Sequence, residues 1–283
     1  MKHYIHAWNE FYNAIRDPSW PNCSTEHEFH NLPDHIKKEI LEVHNGAQHV
    51  ALTASGLAPI LENIVLKDNK SDEHVPECKL QLAVANDFDV YYDEYMDGGG
   101  TTFGQNFPKI IKHLYSNRVF ENCLEWCSGP SFIGFRLLAD GICNNLTLMD
   151  TYKPSLLAAE KTIKHMPDRF AGAVSIFHND NVSNLSGVYD LIVSDPPWYA
   201  SLQFDDPNTN RLGVDYEWKI HENFFRNIKK NLAPDGVILL QEDRMGSAPI
   251  CFDRFIEESN LQITNAFYEK AFPEFWYLEV RHK

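Results

Sequence analysis

From about residue 108 to residue 283 the sequence alternates short apolar runs with amphipathic stretches of helical length, and this alternation restricts the fold more than any other feature. The runs at 123–127, 146–150, 174–178, 191–194 and 237–240 read as strands, with helices near 132–139, 154–165 and 216–231. Strands that alternate with helices imply a parallel sheet covered on both faces, because a parallel connection needs a crossover of helical length. The end departs from that rule. LQITNAFYEK and EFWYLEV are two strands separated by Ala271-Phe272-Pro273, which predicts an antiparallel hairpin. The expected class is α/β.

Two other textures precede this core. Residues 1–70 read as a small helical domain. Trp8, Phe11, Tyr12 and Ile15 form an apolar stripe that Pro18 and Pro21 end, and Leu32-Pro33-Asp34 opens a second helix with Ile36, Ile40 and Val43 on one face. A third apolar segment, AQHVALTASGLAPILENIVLK, would pack on both. Residues 71–107 read as a β-hairpin followed by a loop. KLQLAVANDFDVYYDEY alternates on either side of Asn86-Asp87, and DGGGTTFGQNF suggests a loop whose backbone comes close to something. The expected organisation is therefore 1–70, 71–107 and 108–283.

The charge balance excludes some functions. With 40 acidic against 25 basic residues and a net charge of -15, the chain lacks the general basic footprint of a nucleic-acid binder, although a local basic patch stays compatible. No apolar run approaches the ~20 residues that span a bilayer, so no membrane partner is expected. The start, MKHYIHAWNEFYNAIRD, has no uninterrupted apolar stretch of a secretory signal. The six cysteines are scattered, and only Cys123 and Cys127 are close, so reduced thiols and a cytoplasmic address are expected. His27 and His30 lack further ligands at matching spacing, so no metal is expected.

LEWCSGPSFIGF follows the first core strand and opens the first helix. Gly129 and Gly134 stand where a chain turns sharply and lets a ligand approach its backbone. There is no Walker lysine and no GxGxxG spacing. Asp150 ends the second strand about twenty positions after Gly129, where a carboxylate can accept both ribose hydroxyls of an adenosine. Asn179-Asp180-Asn181 ends the third strand, within reach of an adenine amino group. Asp150 also reads as a helix cap before Pro154, and Asp180-Asn181 as an ordinary turn. The glycine turn in front of them favours the ligand reading. Glu125 is either a buried strand acid with a local partner or one that faces a ligand cation. The cost of burying an unpaired acid favours the cation.

The fourth strand runs into Asp195-Pro196-Pro197-Trp198. Two prolines after a buried parallel strand hold the chain rigid, so that the Pro196 carbonyl and the Asp195 carboxylate face one point. Trp198 adds a flat apolar wall. Two acceptors and a stacking surface make a seat for an amino or amide N–H group; a rigid proline turn with a packed tryptophan is the plainer reading. The following segment carries Tyr199, Asp205, Asp206 and Arg211, which either read a substrate or form a solvated loop.

A glycine-rich turn, an Asp after strand two, an Asp after strand three and Asp-Pro-Pro-Trp after strand four resemble the class I S-adenosylmethionine-dependent methyltransferases. Among these the chain is similar to the branch with an Asn/Asp-Pro-Pro-aromatic motif, which methylates nitrogen. The resemblance covers roughly residues 98–283. It implies a Rossmann-like seven-stranded methyltransferase sheet with a C-terminal antiparallel hairpin. A helical N-terminal part and a hairpin before that core also resemble the layout of the glutamine methyltransferases that act on release factors. Those carry Asn-Pro-Pro-Tyr, whereas Asp-Pro-Pro-Trp is better known from adenosine N6-methyltransferases.

The resemblance implies S-adenosyl-L-methionine as cofactor. It implies that Glu125, Cys127, Ser128, Gly129 and Gly134 surround its methionine part, that Asp150 and Thr151 hold the ribose, and that Asp180 and Asn181 flank the adenine. Thr102, Phe103 and Gln105 would touch it from the glycine-rich loop. Asp195, Pro196 and Trp198 would carry the chemistry, with Pro197, Tyr199 and Arg211 on the acceptor. Three functions are open at this point. The acidic surface favours N-methylation of a small molecule, amino acid or peptide. The tetrad also permits a nucleic-acid N6-adenine methyltransferase, which the charge opposes. The third is an enzyme of the same fold that uses the sulfonium without methyl transfer.

Overall fold

The computed structural model describes residues 78, 80–84, 88–116, 118–200, 211–244, 246–269 and 272–283. The expected helical domain 1–70, the hairpin turn at Asn86-Asp87, and Asp205 and Asp206 lie outside the described residues.

Seven strands form one mixed sheet: β3 (Phe120–Trp126), β4 (Cys143–Asp150), β5 (Val174–His178), β6 (Tyr189–Ser194), β7 (Leu232–Asp243), β8 (Leu261–Glu269) and β9 (Phe272–His282). Their order is β5-β4-β3-β6-β7-β9-β8. A separate two-stranded antiparallel sheet holds β1 (Leu80–Val84) and β2 (Phe88–Tyr92), with Leu80 opposite Tyr92. The described residues divide into two compact units. One takes those between 71 and 195 with Lys230–Ile238, the other those between 196 and 229 and between 239 and 283.

In the first unit β3 pairs in parallel with both β4 and β6. Chain order runs outward in opposite directions from these two strands, so the carboxyl ends of β3 and β6 flank a topological switch point, where open α/β sheets take their ligands. Leu124, Leu148, Leu191, Ile192 and Val193 are fully buried, as expected of strands covered on both faces. Helix α1 (Phe107–Leu114) precedes β3, α2 (Phe132–Ala139) joins β3 to β4, and α3 (Lys153–His165) joins β4 to β5. Six of the eight residues of α2 are buried, so it is an interior helix, apolar on nearly every side.

In the second unit α4 (Lys219–Ile228) and α5 (Ile250–Glu258) accompany the antiparallel pair β8–β9, in which Leu261 faces His282 and Tyr268 faces Trp276. The core is aromatic: Trp218, Phe224, Phe225, Phe252, Trp276 and Tyr277 are fully buried.

Three expectations about elements need correction. The helix expected from residue 216 begins at Lys219, because Glu217 and Trp218 take left-handed backbone angles (φ 52° and 58°) that break a right-handed helix. Phe272 and Pro273 belong to β9 and not to the turn before it. Helices α1 and α5 were not expected. Among the described residues no helix is long and apolar enough to cross a membrane.

Candidate active site

The turn after β3 enters the left-handed region three times, at Cys127 (φ 52°), Gly129 (φ 51°) and Ser131 (φ 70°). A side chain there is strained, so Cys127 and Ser131 require a turn that its surroundings hold in place. Glu125 on β3 does the holding. Its buried carboxylate accepts hydrogen bonds from Ser131 Oγ, from Gly134 N–H at 2.9 Å and from Ile133 N–H at 3.2 Å. Those amides are among the first of α2, which have no partner within the helix. Burial pushes the Glu125 carboxyl up to about 7, against the effect of these three donors. The local partners account for Glu125, and this corrects the inference that a ligand cation explains it. Gly134 has its reason in the same place, since a Cβ would lie 2.6 Å from Glu125 Oε2 and 2.7 Å from Leu146 Cδ1.

Asp150 ends β4 half-buried. Its Oδ2 accepts from Gly129 N–H and its Oδ1 from Tyr152 N–H, each at 2.7 Å. The glycine turn and the strand-end acid therefore meet directly. The buried Ser128 completes the turn, donating its N–H to Met149 O and accepting at its own carbonyl from Ser131 N–H. Thr151 is exposed, with its carbonyl 3.0 Å from His178 Nε2. Asp180 is exposed too, and Asn181 caps a short 3-10 turn by accepting from Ser183 N–H at 2.8 Å. The ordinary-turn reading thus explains the Asn181 oxygen.

The glycine run lies beside this turn. Asp97 organises it by accepting from Gly99 N–H at 2.9 Å and from Thr101 Oγ1 at 2.5 Å. A Cβ on Gly100 would meet Phe132 Cδ2 at 2.5 Å, so what this backbone approaches is the first residue of α2. Gln105 Nε2 secures the contact by donating to the carbonyls of Gly100 and Phe132. Thr102 is exposed and Phe103 half-buried on the same loop.

These residues fit an adenosine-type cofactor. A half-buried carboxylate stands at a strand end, its plane fixed by two backbone donors. Beside it the turn has room, since a Cβ on Gly129 would meet only Met96 O, at 4.0 Å. Ribose hydroxyls are donors for such a carboxylate.

After β6, residues 195–198 have no regular structure. Ser194 Oγ donates to Trp126 O at 2.5 Å and ties the ends of β6 and β3 together. Asp195, Pro197 and Trp198 are half-buried and Pro196 is buried. The Trp198 and Tyr199 amides both donate to Gly213 O at 2.9 Å, and the Trp198 ring meets Phe275 edge-on at 5.3 Å. Tyr199 departs from its expected place on the acceptor. It is buried, and its hydroxyl donates to Asp243 Oδ2 at 2.9 Å; burial and the Asp243 charge raise its pKa far above the usual phenol value. Arg211 is half-buried.

A charged cluster was missed altogether. His221 Nδ1 lies 2.6 Å from Asp215 Oδ2 and its Nε2 2.9 Å from Glu242 Oε1, and all three side chains are 0% exposed. The imidazole is pushed up to about 9: burial works against its charge, and Glu242 and Asp215 outweigh burial. A signal for it was present. His221, Phe224, Phe225 and Ile228 make the buried stripe of α4, so a histidine stands where the helical period calls for an apolar residue.

The methyltransferase small domain family matches residues 81–268. The chain belongs to this family. It is thereby a class I methyltransferase by fold, with S-adenosylmethionine as cofactor. Among curated relatives, the ribosomal RNA small subunit methyltransferase C of Shewanella piezotolerans is 23% identical over 84% of this chain and 62% of that protein. The protein of the same name from Buchnera aphidicola is 24% identical over 57% of this chain and 45% of that protein. The chain thus spans about half to three-fifths of the length of these relatives. A solved S-adenosylmethionine-dependent methyltransferase from Clostridium acetobutylicum is 13% identical, over 63% of this chain and 91% of that one, with a TM-score of 0.44. The names of the two curated relatives overturn the expectation that nucleic acid is disfavoured as a partner and that the acceptor is a small molecule or peptide. That expectation rested on net charge, a sum over the whole chain that says nothing of where the cations stand.

Proposed function

We propose that this chain transfers the methyl group of S-adenosylmethionine to an amino nitrogen of a nucleobase, and that the nucleic acid is ribosomal RNA of the small subunit. The observation that carries the nitrogen is the Asp195-Pro196-Pro197-Trp198 tetrad at the end of β6. The names of the curated relatives support the RNA.

When bound, the cofactor supplies an electrophilic methyl on a sulfonium. The task of the chain is then to aim a lone pair, which is catalysis by proximity. The Asp195 carboxylate and the Pro196 carbonyl accept the N–H groups of the incoming amine and fix the direction of its lone pair. Asp195 also stabilises the positive charge that grows on nitrogen during attack. An exocyclic base amine sheds its proton after attack, so Asp195 need not act as a base beforehand. Trp198 offers its face to a planar base. Asp150 holds the ribose, with Thr151 beside it. Cys127, Ser128 and Gly129 line the methionine end, and Asp180 and Asn181 stand by the adenine. Phe103 and Gln105 close over it, and Pro197 and Arg211 lie on the acceptor side. A ribosomal acceptor would be met in the cytoplasm.

The test is incubation with tritiated S-adenosylmethionine and purified small ribosomal subunits, followed by digestion of the RNA to nucleosides. A labelled base with S-adenosylhomocysteine as co-product is the expected result. Label in protein, or methylthioadenosine in place of S-adenosylhomocysteine, would overturn the reading.

A further inference from the structure

The buried Asp215–His221–Glu242 cluster plays no part in the chemistry described so far. Its internal geometry points to one charge state. A neutral imidazole donates from only one ring nitrogen, yet each His221 nitrogen faces a carboxylate oxygen, at 2.6 and 2.9 Å. Both carboxylates have further donors, as ionised acids require. Ser247 Oγ donates to Glu242 Oε2 at 2.8 Å, and Asp215 accepts the N–H groups of Ile220 at 2.8 Å and His221 at 3.0 Å. Phe252 stacks on the ring at 4.3 Å, with Trp218 and Phe225 farther off. Both ring nitrogens face carboxylate oxygens, the arrangement of an imidazolium between two carboxylates, and the His221 charge and the Ser247 donor counter the burial that raises the Glu242 carboxyl above its usual range.

Its ends lead to one place. Asp215 N–H donates to Tyr199 O at 2.8 Å, and just before it Gly213 O receives the amides of Trp198 and Tyr199. Tyr199 also bridges to Val214 in parallel. On the other side Asp243, the neighbour of Glu242, accepts the Tyr199 hydroxyl. Beyond it Gly246 comes so near that a Cβ would collide with Trp198 O and the Tyr199 ring. Trp198 and Tyr199 are thus clamped between segment 213–215 on one side and Asp243 and Gly246 on the other, and His221 joins the two through Asp215 and Glu242.

We propose that Asp215, His221 and Glu242 are positioning residues: their ion cluster sets the spacing of the two clamping segments and so fixes Trp198, the wall on which the acceptor rests. Only the naming of Trp198 as that wall rests on the proposed function; the clamp itself does not.

The experiment compares the full-length protein with His221→Phe, which preserves ring volume and the stack on Phe252, by residue-resolved amide exchange, cofactor calorimetry and methyl transfer to small ribosomal subunits. The amides of Trp198, Tyr199 and Asp215 are expected to exchange about tenfold faster or more, as in local opening of a clamped segment. Cofactor affinity should hold within about twofold, and the KM for subunits should rise about tenfold with little change in kcat, the signature of lost acceptor binding. Protection at those three amides equal to the parent would overturn the clamp. So would a loss spread evenly over β8 and β9, which marks a merely structural role. If the amides loosen but the parent protein labels no RNA, the clamp stands and the acceptor reading falls. Should His221→Phe fail to fold, Ser247→Ala carries the test, because it removes only one donor to Glu242. About threefold faster exchange at the same amides is then expected, and unchanged exchange overturns the proposal.

Discussion

The turn after β3 and the segment after β6 stand at neighbouring strands of one sheet, yet they are held in opposite ways. The first is made of backbone. Three left-handed residues and the missing Cβ of Gly134 shape it, and two carboxylates, Glu125 and Asp150, serve it by accepting N–H groups. The second is held by charge, through an imidazolium and two carboxylates without solvent. A backbone cradle tolerates little change in shape, and it feels pH through the buried Glu125 that holds it. A buried ion cluster resists steric change in its neighbours but fails when one member loses its charge, because the others are then left uncompensated. One device suits a cofactor of constant form, the other a wall that must be held in place for the proposed acceptor.

The largest effect expected from breaking either region is on turnover. Asp195→Ala should lower the rate of methyl transfer by about a hundredfold or more, the scale of losing one preorganised group aimed at a developing charge. Cofactor affinity should change little. Normal turnover at saturation with a large loss of cofactor affinity would move Asp195 to the cofactor side.

The next effect separates the two regions by pH. The His221 imidazole is raised from 6.5 to about 9 in the folded protein. A raised pKa stabilises the fold fully below the unfolded value, and that stabilisation is lost as pH rises through the folded one. Thermal stability should therefore fall between about pH 6.5 and 9, by on the order of a few kcal/mol. Glu125, raised to about 7 from 4.5, and Glu242, also raised by burial, add a decline of the same sign at lower pH. In His221→Phe the upper part of the decline should flatten and the lower part remain. A parent curve already flat from pH 6.5 to 9 would mean that His221 is neutral.

On the cofactor side, Asp150→Ala should weaken S-adenosylmethionine binding by about tenfold or more, since each bond from a donor to a charged group is worth ~1.5–3 kcal/mol. The variant also loses the acceptor for Gly129 N–H, so exchange at that amide should rise in parallel. Titration calorimetry and amide exchange check both halves. Unchanged affinity would remove Asp150 from the site.

The difference between the regions also decides what was legible in the sequence. Local devices leave local marks. Gly129, Gly134 and the strand-end Asp150 lie on one stretch of chain, and the apolar runs around them placed β3, β4, β5 and β6 to within a few residues. The terminal hairpin was legible for the same reason, in its alternation, while Phe272 and Pro273, which read as its turn, belong to β9. Asp215, His221 and Glu242 come from a loop, a helix and a strand end, so nothing local in the sequence joins them, although His221 stands on the apolar stripe of its helix. Glu125 is legible as a buried strand acid with either a local partner or a ligand cation, and the choice is not, because its donors, Ser131, Ile133 and Gly134, appear only when the turn closes. Tyr199 looked available beside Trp198, and its clamp to Asp243 runs across 44 positions of sequence.

A smaller effect tests whether the backbone cradle is as intolerant as its geometry requires. In Gly134→Ala the new Cβ would crowd Glu125 Oε2 at 2.6 Å and Ser131 Oγ at 2.9 Å. The crowded atoms belong to a short hydrogen-bonded turn with no slack, so the destabilisation should be that of overpacking, about 1–3 kcal/mol. Urea denaturation measures it. Stability equal to the parent would mean that the turn can move, and the left-handed residues would then need another explanation.

The smallest effect asks whether Asn181 belongs to the cofactor or only to its own turn. Its side-chain oxygen accepts from Ser183 N–H at 2.8 Å, and its own N–H donates to Asn179 Oδ1 at 2.9 Å. The first bond is a cap, and replacing a capping Asn with Ala costs about 0.5–2 kcal/mol. Asn181→Asp keeps the oxygen and so keeps the cap, while it removes the amide donor that an adenine nitrogen would accept. If Asn181 touches the adenine through that amide, both variants weaken cofactor binding and only Asn181→Ala loses stability. If Asn181 serves the turn alone, Asn181→Asp binds cofactor like the parent, and any weakening in Asn181→Ala follows its stability. Melting curves with and without cofactor, run on the two variants side by side, distinguish these outcomes. The first outcome is expected, because the cap occupies the oxygen and leaves the amide as the group that can turn toward a ligand.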